Sequence, residues 1–144
     1  MNKKVLIASH DAGGAEILSS WLNHNNKSAL VVVDGPAKKI FKQKCPNANY
    51  FKLNEALTKT DWVLCGTGWS SNFELKVLSK AKKLKKKTVV YLDHWANYLE
   101  RFKDKTNNYI FPDEIWVGDS YAKKIASSIF KNIPIFQKNN PYFK

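Results

Sequence analysis

Ser28-Ala29-Leu30-Val31-Val32-Val33-Asp34 is an unbroken apolar run closed at each end by a polar residue. A strand wetted on one face alternates apolar with polar residues. A continuous β-branched run belongs to a strand covered on both faces, as in a parallel sheet. Thr88-Val89-Val90-Tyr91-Leu92-Asp93 has the same form. Residues 4–9, 61–66 and 114–118 are further strands of this type, and 49–53 and 133–136 are weaker ones. Amphipathic stretches lie between them, at 15–24, from Gly35-Pro36 to about Gln43, and after Ser71. In the last of these, a step of 100° per residue puts Phe73, Val77, Ala81 and Leu84 on one face. Asp119-Ser120 supplies an N-cap for a final helix reaching about Lys131. Strand and helix alternating in this way predict a Rossmann-like three-layer α/β domain with a mainly parallel sheet of six to seven strands. Residues 1–138 form one domain, without internal repeat, and 139–144 form a tail.

Composition narrows the function classes. At 144 residues and 44% hydrophobic, the chain supports one buried core. No apolar run approaches the roughly 20 residues that cross a bilayer, and Val5–Ala8 is too short for a signal-peptide core. Cys45 and Cys65 form neither a disulfide framework nor a metal-ligand spacing, so no metal is expected. A cytoplasmic protein is expected. Twenty-four basic against twelve acidic residues leave a formal charge of +12, which attracts polyanions. Only Arg101 is an arginine, and no nucleic-acid-binding signature accompanies the lysines, so nucleic acid is not the expected partner. Lys76, Lys80, Lys83 and Lys87 line one stripe of the amphipathic segment after Ser71, a candidate contact with an anionic membrane surface at the inner face.

In parallel sheets ligands bind beyond the carboxyl ends of the strands, near a switch in strand order. Three such ends carry chemistry. The first is Ser9-His10-Asp11-Ala12-Gly13-Gly14, with Gly13 and Gly14 placed for close backbone approach and His10 and Asp11 placed to act as a base. A tight turn that packs helix on sheet explains the same glycines. The second is Gly66-Thr67-Gly68-Trp69-Ser70-Ser71, whose hydroxyls suit a sugar or phosphate oxygen and equally suit a helix cap. The third is Asp93-His94-Trp95-Ala96-Asn97, an acid, an imidazole and an amide beside an aromatic ring, a set suited to sugar or base recognition. At a fourth, Gly118-Asp119-Ser120, capping alone accounts for the residues.

Together, the loop after the first strand, Asp61-Trp-Val-Leu-Cys-Gly-Thr-Gly68, Lys87-Thr-Val-Val-Tyr-Leu-Asp-His94, Pro112-Asp-Glu-Ile-Trp-Val-Gly-Asp-Ser-Tyr-Ala-Lys123 and Asn139-Asn140-Pro141-Tyr142 resemble one plan. It is the N-terminal, acceptor-side domain of GT-B glycosyltransferases and of the related UDP-N-acetylglucosamine 2-epimerases. The epimerases' His-x-x-Ala-Gly-Leu-Arg motif is absent, with Asp93-His94-Trp95-Ala96-Asn97 in its place. Asn139-Asn140-Pro141 stands where the family crosses into its second domain.

The resemblance implies the acceptor-binding half of a glycosyltransferase of cell-surface polysaccharide or glycolipid assembly. Its partners would be a donor-binding domain or subunit and a sugar or lipid-linked acceptor. A nucleotide sugar would be co-substrate, with no other cofactor. His10 or Asp11 would be the catalytic base. Gly13, Gly14, Thr67, Gly68, Ser70, Asp93, His94, Asn97, Asp119 and Ser120 would line the acceptor site. The alternative is a non-catalytic module holding a nucleotide or phosphate ligand at Gly13-Gly14.

Overall fold

The computed structural model describes residues 3–25, 28–68, 71–93 and 97–138. These fold as β1(Val5–Ser9), α1(Ala12–Asn25), β2(Leu30–Val33), α2(Ala37–Lys44), β3(Asn49–Tyr50), α3(Leu53–Lys59), β4(Trp62–Cys65), α4(Phe73–Lys83), β5(Lys87–Leu92), β6(Glu114–Val117), α5(Ser120–Ile129) and β7(Ile135–Gln137). The seven strands form one all-parallel sheet in the order β3-β2-β1-β4-β5-β6-β7. The domain is a Rossmann-like three-layer α/β fold. Every residue of β1 is buried, as its central place requires, with Ile7 in register with Val31 on one side and Leu64 on the other. The apolar residues of α1 and α2 pack on one face of the sheet, and those of α3, α4 and α5 pack on the other. Among the described residues, no helix is long and apolar enough to cross a membrane.

The strand order reverses between β1 and β4. The chain winds outward from β1 to β3, crosses back through α3, and winds the other way from β4. This is the switch point at which such sheets open a crevice at their carboxyl edge.

Three local expectations are corrected. α1 starts at Ala12, so Gly13 and Gly14 lie in its first turn and not in a loop before it. α3 occupies residues expected to be the end of a strand and a connection. It has seven residues and buries only Ala56 and Leu57, too few to register as a helical period. On α4 the buried set is Glu74, Leu75, Val77, Leu78 and Ala81. Leu84, expected on the buried face, is 54% exposed, because the helix ends there and the chain turns away.

Candidate functional site

Ser9, His10 and Asp11 leave the carboxyl end of β1, and Gly66, Thr67 and Gly68 leave that of β4. The two ends meet at the switch point, and glycines set how closely. A Cβ on Gly14 would stand 3.5 Å from the Cα of Gly66, so the first turn of α1 rests directly on the chain leaving β4. A Cβ on Gly66 would also lie 3.2 Å from Glu74 Oε2. Gly14, expected to admit a ligand, faces the chain leaving β4 at ordinary packing distance.

The other two glycines make room for His10 and Asp11. Gly35 has φ +54°, and a Cβ there would sit 2.5 Å from His10 Nε2. A Cβ on Gly68 would sit 2.5 Å from the Asp11 carboxyl carbon. Within this frame His10 Nδ1 and Asp11 Oδ1 are 2.6 Å apart, their side chains 14% and 23% exposed. An ionised Asp11 accepts from Nδ1–H, fixes the ring's orientation and leaves Nε2 as the acceptor. Phe73 packs beside the imidazole, at 6.3 Å between centroids.

Beneath this pair lies Glu74, 3% exposed, whose Oε2 accepts the backbone N–H of His10 at 3.3 Å. Burial, then the charge of Asp11 and more weakly that of Asp93, push its carboxyl up to about 8, while the His10 N–H and Arg101 pull the other way. At neutral pH the group is mostly a neutral acid. Glu74 Oε1 and Ser9 Oγ are buried and find no hydrogen-bond partner among the described residues.

Arg101, on a short 3₁₀ turn over Glu100–Phe102, joins the ends of β4 and β5. One of its guanidinium nitrogens, Nη1, donates to Thr67 Oγ1 at 2.8 Å and to Asp93 Oδ1 at 3.0 Å. The Arg101 and Asp93 side chains are 3% and 4% exposed, so the pair is desolvated and holds together mainly by this geometry. Asn97 begins the turn at φ 57°, and its carbonyl accepts the Arg101 N–H. Asparagine tolerates that backbone better than most residues. Tyr98, next to it, is 1% exposed, with its hydroxyl pushed up to about 12 by burial.

His10, Asp11, Gly14, Thr67, Gly68 and Asp93 therefore belong to one cluster. Gly13 lies half-buried in the first turn of α1. Ser70 and His94 lie outside the described residues. Asp119 Oδ1 accepts the Ala122 N–H at 2.7 Å, capping α5, and Ser120 is exposed in the first turn. Sequence reasoning left out Glu74 and Ser9, and noted Arg101 only as the lone arginine. Glu74 falls on the same helical face as Leu78 and Ala81, which was the available signal. Among the described residues, no group of three His, Cys, Asp or Glu side chains could hold a metal ion. Burial pushes the Cys65 thiol up, which removes it as a nucleophile at neutral pH.

No family model and no curated protein matches the sequence. Among solved structures, hypothetical protein SMU.573 from Streptococcus mutans is similar over 95% of this chain, with TM-score 0.53 and 16% identity. The likeness is one of fold. The chain spans 59% of that protein's length. Hypothetical protein SMa0349 from Sinorhizobium meliloti aligns over 98% of this chain and 86% of its own, with TM-score 0.41 and 8% identity.

Proposed function

We propose that the chain is the acceptor-binding half of a GT-B-like glycosyltransferase, acting with a donor-binding domain or subunit that holds the nucleotide sugar. The observation that carries this reading is the His10–Asp11 pair at the switch point, 2.6 Å apart, with the imidazole packed closely beside Gly35. A carboxylate that orients an imidazole is the arrangement of a general base. In the proposed step Nε2 takes the proton of an acceptor hydroxyl as its oxygen bonds to the anomeric carbon. The donor's sugar–phosphate bond breaks, and its electron pair leaves with the nucleotide. Glu74 holds the His10 backbone, and the Arg101–Asp93–Thr67 group braces the walls.

The charge of the cluster favours this over a phosphate-binding module. Asp11 places its own carboxyl at the start of α1, where a bound phosphate would need the helix N–H groups and their positive potential. Asp93 takes up the charge of Arg101, so that guanidinium is not left over for a phosphate. Such a cleft suits the hydroxyls of a neutral sugar.

Titration of the isolated chain with saccharides, inorganic phosphate and UDP, followed by NMR at the His10 ring, tests the reading. Saccharides should shift the ring signals and phosphate should not. Phosphate or UDP binding there without any saccharide response would overturn the proposal. In the assembled enzyme Asp11→Asn should lower kcat by roughly 10²–10⁴ with little change in acceptor KM. Equal losses in kcat and in acceptor affinity would remove the base assignment.

A further inference from the structure

The densest positive charge lies at the opposite edge of the sheet, where the strands begin. α4 runs into Lys82-Lys83-Leu84-Lys85-Lys86-Lys87, five lysines around one leucine. The helix ends there in a Schellman motif, with the Lys85 N–H donating to the Lys82 carbonyl and the Lys86 N–H to the Ala81 carbonyl, each at 3.0 Å. That motif puts its closing residue in the left-handed region, where glycine is the usual occupant. Here it is Lys85, at φ 57°. Leu84 beside it is 54% exposed. Next to this turn Ser79, Lys82 and Lys83 rim an open groove of about 480 Å³, lined also by Tyr109, Ile110 and Phe111. The Tyr109 and Phe111 rings stack at 5.5 Å, and Tyr109 is 44% exposed.

Several of these lysines have internal partners. Lys80 donates to Asn54, Lys82 to the Phe111 carbonyl and Lys86 to the Thr60 carbonyl, and Lys87 pairs with Glu114. Two of the four lysines in the stripe expected from the sequence are therefore occupied in tying α4 and β5 to their neighbours. Lys83 and Lys85 make no such bond among the described residues and flank the exposed leucine.

We propose that this edge docks on an anionic phospholipid bilayer, with Lys83 and Lys85 facing the headgroups and Leu84 and Tyr109 entering the interface. An apolar residue at the centre of a lysine cluster gains from a bilayer and gains nothing on a phosphate backbone. Tyrosine, apolar in its ring and polar at its tip, suits the same boundary. The one arginine of the chain is buried at the other edge, so the patch lacks the side chain best suited to reading nucleic acid. α4 alone separates patch and site by about 16 Å along its axis. Docking through this edge therefore turns the site toward water, and this inference stands independently of the glycosyltransferase reading.

Co-sedimentation of the full chain with phosphatidylcholine vesicles, with and without phosphatidylglycerol, tests it. Binding should require the anionic lipid and weaken with salt. Each lysine near the surface contributes roughly fivefold in partition, so Lys83→Gln with Lys85→Gln should lose about 25-fold. Leu84→Asn should weaken binding at every salt concentration. Lys85→Gly separates docking from folding: relief of the left-handed backbone should raise Tm by about 3 °C, while vesicle binding falls roughly fivefold. Equal binding to neutral and anionic vesicles, unchanged binding of the double variant, or tighter binding to single-stranded DNA than to vesicles would each overturn the proposal.

Discussion

Glu74→Gln should abolish a pH dependence of stability that the wild-type protein carries through this one residue. The carboxyl moves from 4.5 in the unfolded chain to about 8 in the fold, because burial and the nearby charge of Asp11 disfavour its ionised form. The fold binds the proton more tightly than the unfolded chain does. The contribution is therefore whole below pH 4.5, falls as pH rises toward 8, and levels off above that. At about 1.4 kcal/mol per pH unit the interval corresponds to roughly 5 kcal/mol, and relaxation around the ionised group brings the expected loss to about 2–4 kcal/mol. Glutamine has the shape of the protonated acid, does not titrate, and keeps an oxygen for the His10 N–H. Urea unfolding of both proteins at several values between pH 5 and pH 9 is the assay. The two should be close at pH 5, and the variant should be more stable by about 2–4 kcal/mol at pH 9. Asp11→Asn removes the second cause of the shift, so the wild-type decline should end at a lower pH. Parallel curves for wild type and Glu74→Gln over the whole range would refute the reasoning, since they would mean an ionised, hydrated Glu74.

Gly35→Ala should cost about 1–3 kcal/mol in urea unfolding, from the left-handed backbone and from the contact of the new methyl with the His10 ring. Arg101→Met should cost about 3–5 kcal/mol, because it leaves Asp93 buried without its cation; pairing it with Asp93→Asn should recover much of that loss in a double-mutant cycle. Asp119→Ala should lower stability by about 1 kcal/mol through the lost cap on α5, and saccharide titration of the variant should match wild type.

The central strands were legible because a strand covered on both faces has to be apolar at every position, and residues 28–34 and 88–93 satisfy that locally. Their alternation with helices fixed a parallel sheet, and a parallel sheet places its ligand crevice beyond the carboxyl ends of its strands. His10, Asp11, Thr67 and Asp93 were expected at those strand ends on that ground, and the structure brings them together there. α3 escaped notice because seven residues with two buried positions leave hardly any periodic signal.

What the sequence could not supply were contacts between segments far apart in the chain. Gly14 and Gly66, more than fifty residues apart in the chain, meet only when β4 settles beside β1. Glu74 looks like an ordinary acid in the first turn of a helix. Only the packing of α4 under the His10 backbone turns it into a buried, mostly neutral acid. Arg101 likewise gains its role from the side chains of Thr67 and Asp93, which two different strands deliver. Secondary structure follows local side-chain pattern, so residue order determined it. Charge state depends on what surrounds a group in three dimensions, and the tertiary structure alone decided that.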